Sequence, residues 1–272
     1  TMTPLDFLDF RNYLTGASGF QSYQFRMIEA MLGLKMGNRH EHTYYKNAFK
    51  ENPEHLKAIE AIEQQGQPLI KLIDRWLQRM PYVRKDTEAE YWDGFDSEAQ
   101  RVYDEHIFFA DYRQRLKQSL SRSAFESKNL EARLARFDWV FFGIEYDGLT
   151  AEEREEREAG LGPAAMRTAL FIVTQQHLPM LQIPFRILSM LEELDEHMSR
   201  WRHRHLLMVR RMIGNRVGTG GTSGQDYLRG AMQKHQIFHQ LEELSSFLIE
   251  RSELSGTLPP RLKEAMAFRQ HN

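Results

Sequence analysis

Apolar residues recur at steps of four and three through one long stretch: Ile187, Leu191, Leu194, Met198, Trp201, Met208 and Met212. That period is one stripe of an amphipathic helix. It predicts a long helix from Ile187 that runs toward a glycine-rich turn, Gly218-Thr219-Gly220-Gly221-Thr222-Ser223-Gly224. His205 falls in register between Trp201 and Met208, so the pattern carries one imidazole toward the core. Arg200, Arg202, Arg204, Arg210 and Arg211 surround it in sequence.

The rest of the chain follows the same period. Thr3-Pro4 reads as a helix start, with Thr3 as cap and Pro4 in the first turn. Phe7, Phe10, Arg11 and Leu14 then share one face. Thr15 to Gly19 predicts a break, and a second helix runs from Phe20 to Leu34. Shorter helices are expected over Leu56 to Ile62 and Leu69 to Met80, separated by Gly66-Gln67-Pro68. Phe95 to Asp147 has no proline and almost no glycine, which predicts a helical hairpin. Glu152 to Glu158 is a charge run that reads as a solvated helix or loop. Helix resumes at Met166 to Val173, and later at Tyr227 to Met232, Phe238 to Ile249 and Arg261 to Phe268. No segment alternates like a strand, and nothing repeats. The expectation is a single all-α domain over residues 1–272, with about ten helices.

Composition narrows the function classes. Hydrophobic residues make up 41% and charged residues 27% of the 272 positions, the balance of a soluble globular protein. A formal net charge of -2 gives no global attraction to nucleic acid or an anionic membrane. No apolar run approaches the roughly 20 residues of a membrane span, and no signal-peptide pattern opens the chain. The absence of cysteine excludes disulfides, zinc-thiolate sites, cysteine-ligated iron-sulfur clusters and thiol nucleophiles, and it fits a reducing cytoplasm.

Three features carry candidate chemistry. A histidine on an apolar stripe is usually a hydrogen-bonded core residue. In a chain without cysteine, His205 is also the natural ligand for a haem or another transition metal, and the nearby arginines suit propionate carboxylates. His203 projects from another side of the helix and is badly placed to share a metal with it. Arg11 either snorkels over its apolar face or is a buried guanidinium awaiting a carboxylate. The Gly218–Gly224 segment lacks the Gly-Lys-Ser/Thr ending of a P-loop, so it is a helix-ending turn or a backbone that lets a ligand approach closely. His235 and His239 are one turn apart with no third ligand nearby, and no Ser-His-Asp order or paired-carboxylate motif stands out.

Taken together these segments resemble the tryptophan 2,3-dioxygenase family. The matching blocks are Thr1-Met2-Thr3-Pro4-Leu5-Asp6-Phe7, Phe10-Arg11, Ser18-Gly19-Phe20-Gln21-Ser22, Gln24-Phe25-Arg26, Trp201-Arg202-His203-Arg204-His205 and Gly218 to Gly224. The resemblance runs through essentially the whole chain and is looser from Asp86 to Gly162. It implies a helical homotetramer that binds haem b and inserts both atoms of O2 across the indole C2–C3 bond of L-tryptophan, giving N-formylkynurenine. On that resemblance His205 is the axial ligand of the haem iron, Arg26 pairs with a propionate, and Trp201 packs near the porphyrin. Ser18 and Gly19 line the distal pocket. Arg11 holds the substrate carboxylate, Thr219 contacts its ammonium and carboxylate, and Phe7 lines the substrate pocket.

Family members carry, before the segment that starts here, a helix with a distal histidine that hydrogen-bonds the indole N–H. Nothing in this chain matches it, which leaves three expectations open: a trimmed product, a distal wall supplied by another polypeptide, or a degenerate member of the family. Two other readings stay open at this point: a haem-dependent monooxygenase of an indole metabolite, and a non-catalytic haem-binding fragment.

Overall fold

The computed structural model describes residues 17–34, 53–79, 105–122, 126–213 and 236–256, with isolated positions at 3, 258, 263, 266 and 267. Every regular element among them is helical and none is a strand, as the period of the apolar positions predicts. No helix among the described residues is long and apolar enough to cross a membrane. The chain divides into two units, Thr1–Leu72 with Glu193–Ile237, and Ile73–Glu192 with Phe238–Asn272.

In the first unit, α1 spans Ala17–Leu32 and α2 spans Pro53–Gln64. Helix α1 starts earlier than expected, so Ser18 and Gly19 lie in its first turn instead of breaking it. Small residues are tolerated there because the first N–H groups of a helix have no intrahelical partner. The helix ends at Gly33, whose φ of 125° is open to glycine. The Gly33 and Leu34 N–H groups both donate to the Glu29 carbonyl, at 3.0 and 2.9 Å. A side chain at Gly33 would run into Ile70, at the start of α3 (Leu69–Gln78). Pro53 supplies the first residue of α2, where a missing N–H costs nothing. Ile59 then packs against Ala30, flanked by Tyr23, Met27, Leu56 and Ile62.

The second unit is built on a helical hairpin. Its arms are α4 (Glu105–Arg122) and α5 (Leu130–Phe142), joined through a 3-10 turn at Glu126–Asn129. Phe137 is its aromatic centre, with ring centroids 4.6 Å from Phe141, 5.7 Å from Phe247 and 6.2 Å from Tyr112. The charge run forms α6 (Ala151–Ala159), a helix with no buried residue whose Thr150 and Glu153 cap each other's backbone N–H groups. Helix α7 (Pro163–Thr174) starts with proline and buries most of its length. The segment expected as one helix over Phe238 to Ile249 is α9 (His239–Glu243), after the long α8 (Gln182–Ile213), and then a 3-10 turn at Leu244–Phe247. There the Ser245 hydroxyl donates to the Glu242 carbonyl at 2.8 Å and competes with the α-helical bond.

Candidate functional site

Helix α8 carries the histidine that the sequence singles out, but its buried line lies one register away from the predicted stripe. Leu188, Leu191, Asp195, Met198, Arg202 and Leu206 are buried, whereas Trp201 and Met208 are exposed and His205 is half-buried. The imidazole therefore sits at the border of the core, not within it. Two of the six inward positions are charged, and a hydropathy reading places such residues in solvent.

Each of these charges has a partner within its own unit. Both Asp195 carboxylate oxygens accept from the Ile237 N–H, at 3.0 and 2.9 Å. Arg202 donates from Nε and Nη2 to Glu29 Oε1, at 3.2 and 2.8 Å. Glu29 lies on α1, and its second oxygen accepts from Arg26 Nη1 at 2.7 Å. Arg26 and Arg202 are each 2% exposed and Glu29 is 4% exposed, so one carboxylate is held between two buried guanidiniums. Removing the carboxylate would leave two buried cations, a change of about 3–5 kcal/mol. Nη1 of Arg202 remains buried without a hydrogen-bond partner.

Beside this cluster stands a column of rings. Phe25 on α1 stacks on Trp201 with centroids 3.7 Å apart and planes 13° apart. Trp201 in turn stacks on His205 at 5.1 Å and 4°. The Arg202 guanidinium carbon lies 5.6 Å from the Phe25 ring centroid, within cation–π range. Burial holds the His205 pKa below its ordinary value, so the neutral ring with a free lone pair is favoured. Among the described residues no three His, Asp or Glu side chains converge as a metal site. His205 thus belongs to no multi-ligand cluster among the described residues, which suits a metal that arrives with most of its ligands already supplied.

Of the residues expected to form the site, the structure brings Arg26, Trp201 and His205 into one unit. Ser18 and Gly19 are located by backbone only, in the first turn of α1. Phe7, Arg11 and Thr219 lie outside the described residues, as does the whole Gly218–Gly224 segment. The sequence pattern does not single out Glu29 or Asp195, and in it Arg202 is one more cation around His205. The available signal was register: Asp195, Met198 and Arg202 follow Leu188 and Leu191 at steps of three and four.

Fold and site define a class, an all-helical protein that presents a half-buried imidazole beside an aromatic column on a long helix. The chain belongs to the tryptophan 2,3-dioxygenase family, whose profile matches residues 1–248. It is similar to the tryptophan 2,3-dioxygenase of Bdellovibrio bacteriovorus, at 38% identity over 98% of this chain and 72% of that protein. The Dictyostelium discoideum tryptophan 2,3-dioxygenase is 35% identical over 98% of this chain and 65% of its own length. That of Alteromonas mediterranea is 32% identical, with coverage of 98% and 72%. The chain therefore spans about two thirds of the length of these relatives.

Proposed function

We propose that this chain is a haem-dependent dioxygenase that converts L-tryptophan and O2 to N-formylkynurenine, working as a homotetramer in the cytoplasm. The observation that carries the reading is the family match over residues 1–248, with a half-buried, neutral-favoured His205 on its longest described helix. The match runs continuously across both units, which supports treating residues 1–272 as one functional domain.

The donor set fits haem b. A porphyrin supplies four nitrogens to its iron, so one histidine suffices for attachment, and among the described residues His205 stands outside any multi-ligand cluster. The buried cations Arg26 and Arg202 are complementary to propionate carboxylates, and Nη1 of Arg202 is still available to one. The part of Trp201 that its two stacked neighbours leave uncovered, 39% of the residue, offers an apolar edge to the macrocycle. When bound, the haem supplies the redox chemistry that O2 requires.

The protein's own work is orientation. Arg11 holds the substrate carboxylate through a guanidinium fork, which suits that planar group, and the Thr219 hydroxyl reaches the amino-acid end. Phe7 gives the indole an apolar wall, and Ser18 and Gly19 keep the pocket beside it unobstructed. Fixing the amino-acid end restricts the indole to one pose and removes rotational freedom before reaction.

The test is the reaction of reduced, haem-loaded protein with tryptophan and 18O2. A product gaining two labelled oxygens, with the ultraviolet absorbance of N-formylkynurenine, is expected. Gain of one oxygen would establish a monooxygenase instead, and a haem-loaded chain with no product would be a binding fragment. His205→Ala is expected to lose both haem and turnover.

A further inference from the structure

We propose that Phe25 and Glu29 are positioning residues that set the plane of the His205 imidazole. The inference rests on the reading of His205 as the iron ligand and adds the device that aims it. A metal-bound histidine ordinarily has its second nitrogen tied to a carboxylate or carbonyl, which fixes the ring. Here neither His205 ring nitrogen makes a hydrogen bond among the described residues, and rotation about the last side-chain bond of histidine is soft. What fixes the ring is its stack on Trp201, with planes 4° apart.

Trp201 alone is a poor support, because 39% of it is exposed and one face would be free to swing. Phe25 closes that face at 3.7 Å. Phe25 reaches it from α1, and α1 is tied to α8 at the same level by the Glu29–Arg202 ion pair. The spacing makes this a single clamp. Phe25 and Glu29 are one turn apart on α1, Trp201 and Arg202 are adjacent on α8, and His205 follows Trp201 by one turn. Arg202 also touches both halves, since it binds Glu29 and lies over Phe25. The ion pair holds the helices, the helices hold the rings, and the rings hold the imidazole.

The experiment compares the unmodified full chain with Phe25→Leu, Glu29→Gln and a Trp201→Leu control. In haem-free protein, proton NMR should show the His205 ring signals displaced upfield by the Trp201 ring current. Trp201→Leu should abolish that displacement, and Phe25→Leu and Glu29→Gln should reduce it while the far-ultraviolet circular dichroism stays unchanged. In haem-loaded protein, both variants should lose haem to excess apomyoglobin about tenfold faster, the scale of a lost supporting contact around a ligand. Unchanged His205 signals and unchanged haem loss in folded Phe25→Leu would overturn the proposal, and that variant decides even where Glu29→Gln fails to fold. A His205→Ala variant that keeps the visible spectrum of the unmodified protein would overturn the ligand reading alone, with the NMR arm still deciding the stack.

Discussion

The four buried charged side chains among the described residues, Arg26, Glu29, Asp195 and Arg202, all belong to the unit of Thr1–Leu72 and Glu193–Ile237. The other unit buries rings instead, and among its described residues the buried polar side chains are the uncharged Thr168, Thr174 and Gln175. Its ion pairs stand at a half-exposed rim, as where Arg136 joins Glu153 and Glu243 at 2.8 and 2.6 Å. Transfer of aromatic surface from water is sufficient to stabilise such a unit. Buried ion pairs are different, because hydrophobic residues of the same volume often stabilise a core as well or better. Stability therefore does not explain the charges of the first unit. Three of them, Arg26, Glu29 and Arg202, lie beside the ring column that carries His205, where position and charge have a use.

The largest expected effect breaks this contrast directly. Glu29→Ala should destabilise the protein by about 3–5 kcal/mol, since it takes from the buried Arg202 its carboxylate partner and breaks the ion pair of the buried Arg26 with Glu29. A swap of similar volume in the other unit, Leu134→Met, should cost less than about 1.5 kcal/mol, because its site asks only for apolar bulk. Chemical denaturation followed by tryptophan fluorescence measures both. Comparable small losses would mean that the buried carboxylate is not structurally demanding and that the two units are built alike.

Much of this contrast was hidden in the sequence. Helix α8, the Gly66–Pro68 turn and the family resemblance follow from period, breakers and motif order. The inward face of α8 does not, because Asp195 and Arg202 look like solvent residues until their partners are known. Glu29 lies 173 residues from Arg202, and no local pattern announces that pairing. His205 is placed deeper by the stripe than by the structure. It lies at the edge of the buried line, and its chemistry comes from half-burial and a stacked indole, not from a place in the core. The substrate-holding roles of Phe7, Arg11 and Thr219 rest on motif resemblance alone.

An intermediate effect sharpens the apolar side. Tyr112 is fully buried, and its hydroxyl donates to the Phe247 carbonyl at 2.9 Å. Tyr112→Phe should cost about 1–2 kcal/mol, because the carbonyl loses its donor. Burial raises the Tyr112 pKa above its ordinary value, against a weaker opposing backbone hydrogen bond with Ile249. The folded state therefore disfavours tyrosinate. Its contribution is complete below the ordinary tyrosine value and declines as pH rises beyond it, because the unfolded chain gains by ionising. Alkaline unfolding should accordingly be less steep in Tyr112→Phe. An unchanged alkaline profile would show that this ring is better hydrated than its burial indicates.

Rim pairs should respond weakly and depend on salt. Arg113 grips Asp138 through two bonds of 2.7 Å, yet its side chain is 37% exposed. Arg113→Ala should cost about 0.5–1 kcal/mol at low ionic strength and less at high salt. The Glu29→Ala loss should persist in high salt, since buried pairs are screened much less. Measuring both variants at two salt concentrations separates rim from interior without reference to fold.

The smallest effect lies at Glu153, which caps the solvated helix α6. Its pKa is lowered first by the hydrogen bond from the Thr150 N–H and further by the Thr150 hydroxyl and Arg136. A lowered carboxylate pKa stabilises the fold at pH above the ordinary carboxylate range, and that stability is lost as pH falls through the lowered value. Because Glu153 is half-exposed and screened by water, the loss should be only roughly 0.5 kcal/mol, visible as fraying of α6 by amide exchange in acid. Glu153→Gln keeps the geometry of a capping box and removes the charge, so it should flatten the acid dependence while leaving α6 formed at neutral pH. Fraying of α6 at neutral pH in that variant would mean that the charge pair with Arg136 holds the helix, not the cap. The rim of the second unit would then depend on electrostatics more than its exposure suggests, and the contrast with the buried charges around Glu29 would narrow to one of degree.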